Sequence, residues 1–286
     1  MIHQKHFSPT WSTYRFEQTY NKDHQNNHTT GSPYEALGYH IQTSNSTKLS
    51  AYMLERDYTR AISEIKRSPE KARNRITAHR FLGSPRDSHV LPLHLALSAA
   101  DVPMQLIAAL LKAYPGAIHQ LESGTKRNCL HIALKSNVEE SIISYLYQEY
   151  PELIKQQDEL GRLPIHYALS NLHKESTIHD LLKAYPEAAK SWDKAGWSPL
   201  HVAVQTNTSS KIIQELIKIN PDAVVMQTNK GRTPLDIALG NSTTKGYEEY
   251  LQGKYDAYQK LPFIQNYRLA EKRRNHNIPS LYSYVV

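Results

Sequence analysis

Residues 161–169 read Gly-Arg-Leu-Pro-Ile-His-Tyr-Ala-Leu, and near-copies of this stretch recur along most of the chain. One copy is Gly196-Trp197-Ser198-Pro199-Leu200-His201-Val202-Ala203-Val204, and another is Gly231-Arg232-Thr233-Pro234-Leu235-Asp236-Ile237-Ala238-Leu239. Two looser copies come earlier, Leu91-Pro92-Leu93-His94-Leu95-Ala96-Leu97 and Asn128-Cys129-Leu130-His131-Ile132-Ala133-Leu134. The shared position falls at His94, His131, His166, His201 and Asp236, at intervals of 37, 35, 35 and 35 residues. A fixed period of this length marks an array of stacked structural units.

Each copy carries a second apolar run about a dozen residues further on: Ile107, Leu110, Leu111; Ile143, Leu146, Tyr147; Ile178, Leu181, Leu182; Ile213, Leu216, Ile217. Offsets of three and four place these side chains on one helical face. The runs stop at Tyr114-Pro115, Tyr150-Pro151, Tyr185-Pro186 and Asn220-Pro221. Proline cannot donate to the helix ladder and restricts the residue before it, so the second helix ends there. For the first helix, Asn128, Ser198 and Thr233 are good N-cap types, followed in two copies by proline at the first helical position. Leu91 and Leu163 occupy that slot elsewhere, so those helices need another capping solution. The unit is helix, turn, helix, loop, and only a stack of units covers its apolar faces.

The segments Pro92-Leu93-His94, Leu130-His131, Pro164-Ile165-His166, Ser198-Pro199-Leu200-His201 and Thr233-Pro234-Leu235-Asp236 resemble the opening tetrapeptide of ankyrin repeats. The likeness covers roughly residues 87–250, and the Tyr185-Pro186-Glu187-Ala188 ending is similar to divergent ankyrin repeats of diatom-like algae. It implies an all-α, ankyrin-type repeat solenoid. In that family the histidine position makes hydrogen bonds that knit adjacent units, and partners commonly meet the inter-repeat loop tips. The departures are a period of 35, Cys129 in place of proline and Asp236 in place of histidine.

The expected organisation starts with a disordered tail, 1–46. Its 21–33 stretch is almost devoid of apolar side chains that could offset the entropy of ordering. Residues 47–87 form a degenerate capping unit with a polar outer face (Arg56, Arg60, Glu64, Lys66, Arg67) and an inserted loop near 78–87. Five units follow at about 88–123, 124–158, 159–193, 194–228 and 229–252, then a C-terminal extension and basic tail, 253–286. The mean hydropathy is -0.60 and no long apolar run is present, so neither a membrane span nor a secretory signal is expected. The lone cysteine, Cys129, fits a reducing compartment, cytoplasm or nucleus.

The net charge of +7 is uneven: residues 91–250 carry 15 basic and 17 acidic side chains, and the flanks 19 and 10. The excess gathers at Lys66, Arg67, Lys71, Arg73, Arg75 and Arg80 and at Lys272-Arg273-Arg274. Such clusters can contact nucleic acid or an anionic membrane in a salt-dependent way, or simply keep an array soluble.

Fifteen histidines invite a metal reading, but repeat-spaced residues do not converge on one ion, and one cysteine adds little. No nucleophile elbow or phosphate-cradling glycine loop is present. A non-catalytic protein is therefore expected, without cofactor or metal and monomeric. It would be a scaffold or adaptor that binds an unidentified protein partner. For that role the informative positions are those the repeat leaves free. After the glycine these are Arg162, Trp197 and Arg232; before the next loop they are Gln157, Trp192 and Gln227. Only the fourth junction has tryptophan in both places, around Asp193 and Lys194. Tryptophan is enriched at binding hot spots, but either ring can instead fold back onto the neighbouring unit. Lys135-Ser136, Ser170-Asn171 and Gln205-Thr206 are candidates for the concave side, and Tyr284-Val285-Val286 has a weak carboxylate-recognition spacing.

Overall fold

The computed structural model describes residues 40–41, 47–240 and 248–260. Among them the chain is mostly helical, twelve α-helices in all. The helices come in pairs. The first pair is α1 (Lys48–Leu54) and α2 (Tyr58–Arg67). Next come α3 (Pro92–Leu97) with α4 (Met104–Ala113), and α5 (Cys129–Ser136) with α6 (Glu140–Glu149). Then follow α7 (Pro164–Ser170) with α8 (Glu175–Ala184), and α9 (Pro199–Gln205) with α10 (Ser210–Ile219). The last pair is α11 (Pro234–Gly240) and α12 (Glu248–Gln259).

Each first helix packs against its own second helix and against the first helices on either side, so α3, α5, α7, α9 and α11 form one row. This explains why the first helices are apolar almost all round: every side chain from Pro164 to Leu169, His166 included, is buried. The second helices bury one face only, Ile178, Leu181 and Leu182 in α8 and Ile213, Leu216 and Ile217 in α10. They end as the prolines dictate. The amides of Tyr114, Tyr150, Tyr185 and Asn220 each close the last turn, and a short 3-10 segment begins at the following proline. The result is a single continuous core from Leu49 to Leu251.

Three features depart from the sequence reading. The inserted loop expected near 78–87 is flanked by strands that the sequence reading did not foresee: β2 (Ile76–His79) pairs antiparallel with β3 (Ser88–Val90), Ile76 opposite Val90, and residues 80–87 connect them. A two-residue strand, β1 (His40–Ile41), joins the other edge of β2, inside the stretch expected to be disordered. Burial alternates along β2, with Ile76 and Ala78 buried and Thr77 and His79 not. Secondly, Glu64, assigned to the polar outer face, is buried, where Arg67 and Lys71 both pair with its carboxylate. Thirdly, α12 runs unbroken through the boundary placed at 252. The remainder of the expected N-terminal tail, residues 241–247, and the basic tail with residues 272–274 and 284–286 lie outside the described residues.

Candidate interaction surface

The loops that join one helix pair to the next share a construction. In the loop from Asp158 to Arg162, the Asp158 amide donates to the Arg162 carbonyl at 2.9 Å, and the Gly161 amide donates back to the Asp158 carbonyl at 3.0 Å. The Asp158 carboxylate turns inward and accepts from the amides of Leu160 at 2.8 Å and Arg162 at 2.9 Å. Asp193 does the same for Ala195 and Trp197, at 2.9 and 2.8 Å. Thr228 substitutes a hydroxyl, accepting from the Arg232 amide at 3.3 Å. The tight turn requires a left-handed residue, supplied by Gly161, Gly196 and Gly231 at φ of 76°, 78° and 73°. One period before Gly161, Lys126 adopts the same conformation at φ 59°.

Neighbouring loops are bonded tip to tip. The Glu159 amide donates to the Thr125 carbonyl at 2.8 Å, Lys194 to Leu160 at 2.8 Å, and Asn229 to Ala195 at 3.0 Å. The four loops thus make one continuous ridge along the edge of the stack.

Beneath the ridge runs a chain of buried polar side chains. The Tyr167 hydroxyl donates to Asp158 at 2.7 Å and accepts from Arg127 Nε at 2.9 Å. Arg127 also donates to the Leu82 carbonyl at 2.9 Å. The guanidiniums of Arg127 and Arg162 lie 5.6 and 5.8 Å from the Tyr167 ring centre. Arg162 in turn faces Asp193, with Nε 3.9 Å from the carboxylate. At the near end, burial pushes the Glu122 carboxyl up. The Thr125 hydroxyl, Arg127 and the Thr125 amide outweigh it and hold Glu122 below its ordinary range. Arg162 and Asp193, expected to meet a partner, are therefore interior residues that hold the loops together.

The repeat-position histidines work from inside. Each reaches back to the amide that opens its helix: Leu91 donates to His94 Nδ1 at 3.2 Å, Asn128 to His131 at 3.3 Å, Leu163 to His166 at 3.1 Å and Ser198 to His201 at 3.2 Å. This is how the helices opening at Leu91 and Leu163 are capped without a polar N-cap side chain. The other nitrogen crosses to a carbonyl in the following connection, Gln120 at 3.0 Å from His94, Arg162 at 3.0 Å from His131, and Met226 and Arg232 at 3.1 and 3.2 Å from His201. His166 is drawn toward the Trp197 carbonyl, in looser geometry than the other three. Burial lowers the pKa of His94, His131 and His201 to about 4 and also lowers that of His166. Asp236 keeps the backward half of the device, accepting from the Thr233 amide at 2.8 Å and hydroxyl at 2.7 Å. It is exposed, and among the described residues it shows no forward bond of the kind the histidines make. Cys129 is buried, which raises its thiol pKa, so it is a packing residue. Among the described residues no three metal-ligating side chains converge.

The two tryptophans separate. Trp197 is 4% exposed, packed beside the His201 ring at 6.0 Å, whereas Trp192 is 48% exposed. Of the other candidates, Gln157, Lys194 and Gln227 are exposed and Arg232 is half-buried. Lys135, Ser136, Ser170, Asn171, Gln205 and Thr206, placed on the concave side by the sequence, are half-buried at the ends of α5, α7 and α9. Two exposed leucines escaped the sequence reading. Leu172 stands at φ 55°, one period from Asn137 and Asn207 in the same left-handed conformation. Leu239 is 64% exposed, where its counterparts Leu169 and Val204 are fully buried. The register of the repeat contains both signals. No protein-family model matches the chain, and no curated protein matches it.

Proposed function

We propose that the chain is an ankyrin-type repeat protein that acts as a non-catalytic interaction scaffold or adaptor. It binds a protein partner through the ridge of loop tips and the adjoining concave face. The 35-residue period, the left-handed glycines and the histidines that bond across units support the family assignment. The binding reading is carried by Trp192: a large aromatic ring stands half in solvent on a rigid ridge, at a position where the adjacent units have Gln157 and Gln227. No helix among the described residues is long and apolar enough to cross a membrane. A buried, lone cysteine fits work in the cytosol or nucleus.

The alternative is a nucleic-acid or anionic-membrane binder that uses the basic flanks. Several of those charges are already engaged: Arg67 and Lys71 on Glu64, and Arg75 on Gln120 at 2.8 Å. A pull-down from native extract at moderate salt tests the scaffold reading, wild type beside Trp192→Ala. Capture of a defined protein by wild type and its loss in the variant is the expected result. Recovery of nucleic acid or lipid alone, released by salt, would establish the alternative.

A further inference from the structure

We infer that the loop ridge takes an acidic peptide segment of a partner protein, laid along the four loops with Trp192 as its apolar anchor. This rests on the scaffold reading above. The turn geometry sorts the charges. Glu122, Asp158 and Asp193 point inward, each accepting loop amides, and are buried. Glu159, which is at the tip itself, is paired with Arg86. The lysines of the same loops, Lys126, Lys194 and Lys230, have no inward acceptor to serve and stand exposed, with no ion-pair partner among the described residues. Apart from Glu159, which Arg86 neutralises, the charges on the solvent face of the ridge are thus positive.

Three features favour a peptide over a nucleic acid. The three free ammonium groups are few beside the six to ten phosphate contacts of a strongly salt-dependent nucleic-acid binder. Trp192 lies two residues from Lys194, so apolar contact and charge adjoin on one loop. That loop is fixed before any partner arrives. Lys194 and Ala195 are bonded to the loops on either side, and the Asn229 side chain donates to the Lys194 carbonyl at 2.8 Å. A surface already held in place loses little freedom on binding.

The test is selection of random peptides displayed on phage against the immobilised full-length protein, followed by fluorescence anisotropy with a labelled peptide from the enriched set. Enriched peptides should carry an excess of Asp and Glu around an aromatic or leucine residue. Trp192→Ala and the double variant Lys194→Glu/Lys230→Glu, both checked for unchanged helicity, should each weaken binding by about tenfold. Replacing the peptide's acids with lysine should restore binding to the charge-reversed variant and abolish it for wild type. Enriched peptides without acidic excess, or equal binding by the charge-reversed variant, overturn the inference. If such neutral peptides still need Trp192, the scaffold reading stands and only the acidic partner falls. Preference for a labelled single-stranded oligonucleotide or for phosphatidylserine vesicles over every selected peptide also overturns it.

Discussion

His131 Nε2 lies 3.0 Å from the carbonyl oxygen of Arg162, while its Nδ1 accepts the Asn128 amide at 3.3 Å. Only a neutral ring with its proton on Nε2 satisfies both. A second proton would enter at Nδ1, which faces both the Asn128 amide and, at 2.7 Å, the Asn128 side-chain oxygen, so burial rather than the want of an acceptor is what opposes it. The units are joined through buried rings, and burial is what makes the charged form unfavourable at His131 and equally at His94 and His201.

Stability should fall with acid for this reason. Burial lowers these three histidines from 6.5 to about 4 in the folded chain. Between those values the unfolded chain binds protons that the folded chain refuses. Their contribution is complete above pH 6.5 and is lost on descent toward pH 4. Each histidine adds a slope of up to about 1.4 kcal/mol per pH unit within that window. Urea midpoints measured from pH 7 to pH 5 should drop, and His131→Gln should flatten the dependence. A midpoint constant over that range, above the carboxylate titrations, would refute the account.

The loop glycines share a backbone conformation but differ in surroundings, which predicts an order. A Cβ at Gly196 would meet the Asn229 amide nitrogen at 2.7 Å; at Gly161 the nearest atom is the Lys194 nitrogen at 3.3 Å; at Gly231 nothing lies within 4 Å. Gly231→Ala should cost only the left-handed penalty, about 1–2 kcal/mol. Gly161→Ala should cost somewhat more, and Gly196→Ala most, about 3 kcal/mol or above, because two loops must part. Chemical denaturation of the three variants checks the ranking.

Tyr167→Phe removes one oxygen from a buried chain that links Arg127 to Asp158. The ring still fills its space, so the loss is of hydrogen bonding to charged groups. A destabilisation of about 1.5–3 kcal/mol is expected by denaturant titration. A neutral outcome would mean that the two charges meet their needs elsewhere.

The tryptophans should divide in the same assay. Trp197→Ala opens a cavity in the packed loop base and should cost about 3–5 kcal/mol. Trp192→Ala should leave stability within about 0.5 kcal/mol, since half the ring already faces water. Equal losses for both would place Trp192 in the core and remove the main support for the binding surface.

The helical stack was legible because it depends on local chemistry. Proline stops each second helix at Tyr114, Tyr150, Tyr185 and Asn220, and apolar offsets mark the buried faces. The hairpin at Ile76 and Val90 was hidden because strands of four and three residues give too short an alternation to separate from a loop. Exposure at the loops was half legible. Trp192 and Trp197 are five residues apart in sequence and of one type, yet the first is exposed and the second buried, a difference that residue type does not carry. Arg162 is likewise buried, beside Asp193, although its residue type alone points to the surface.

The polar chain under the ridge gives the array a reading direction. Excising residues 159–193 would preserve the helical register, since the period is 35, and would leave Asp158 followed by the loop of Lys194 to Trp197. Yet Arg127 would then find Val202 where Tyr167 had been, and a buried cation would have lost its hydroxyl. The segments are alike enough to stack but not to be exchanged. The molecule resembles a sentence more than a string of beads, and its length cannot be edited by whole periods without rewriting the words on either side.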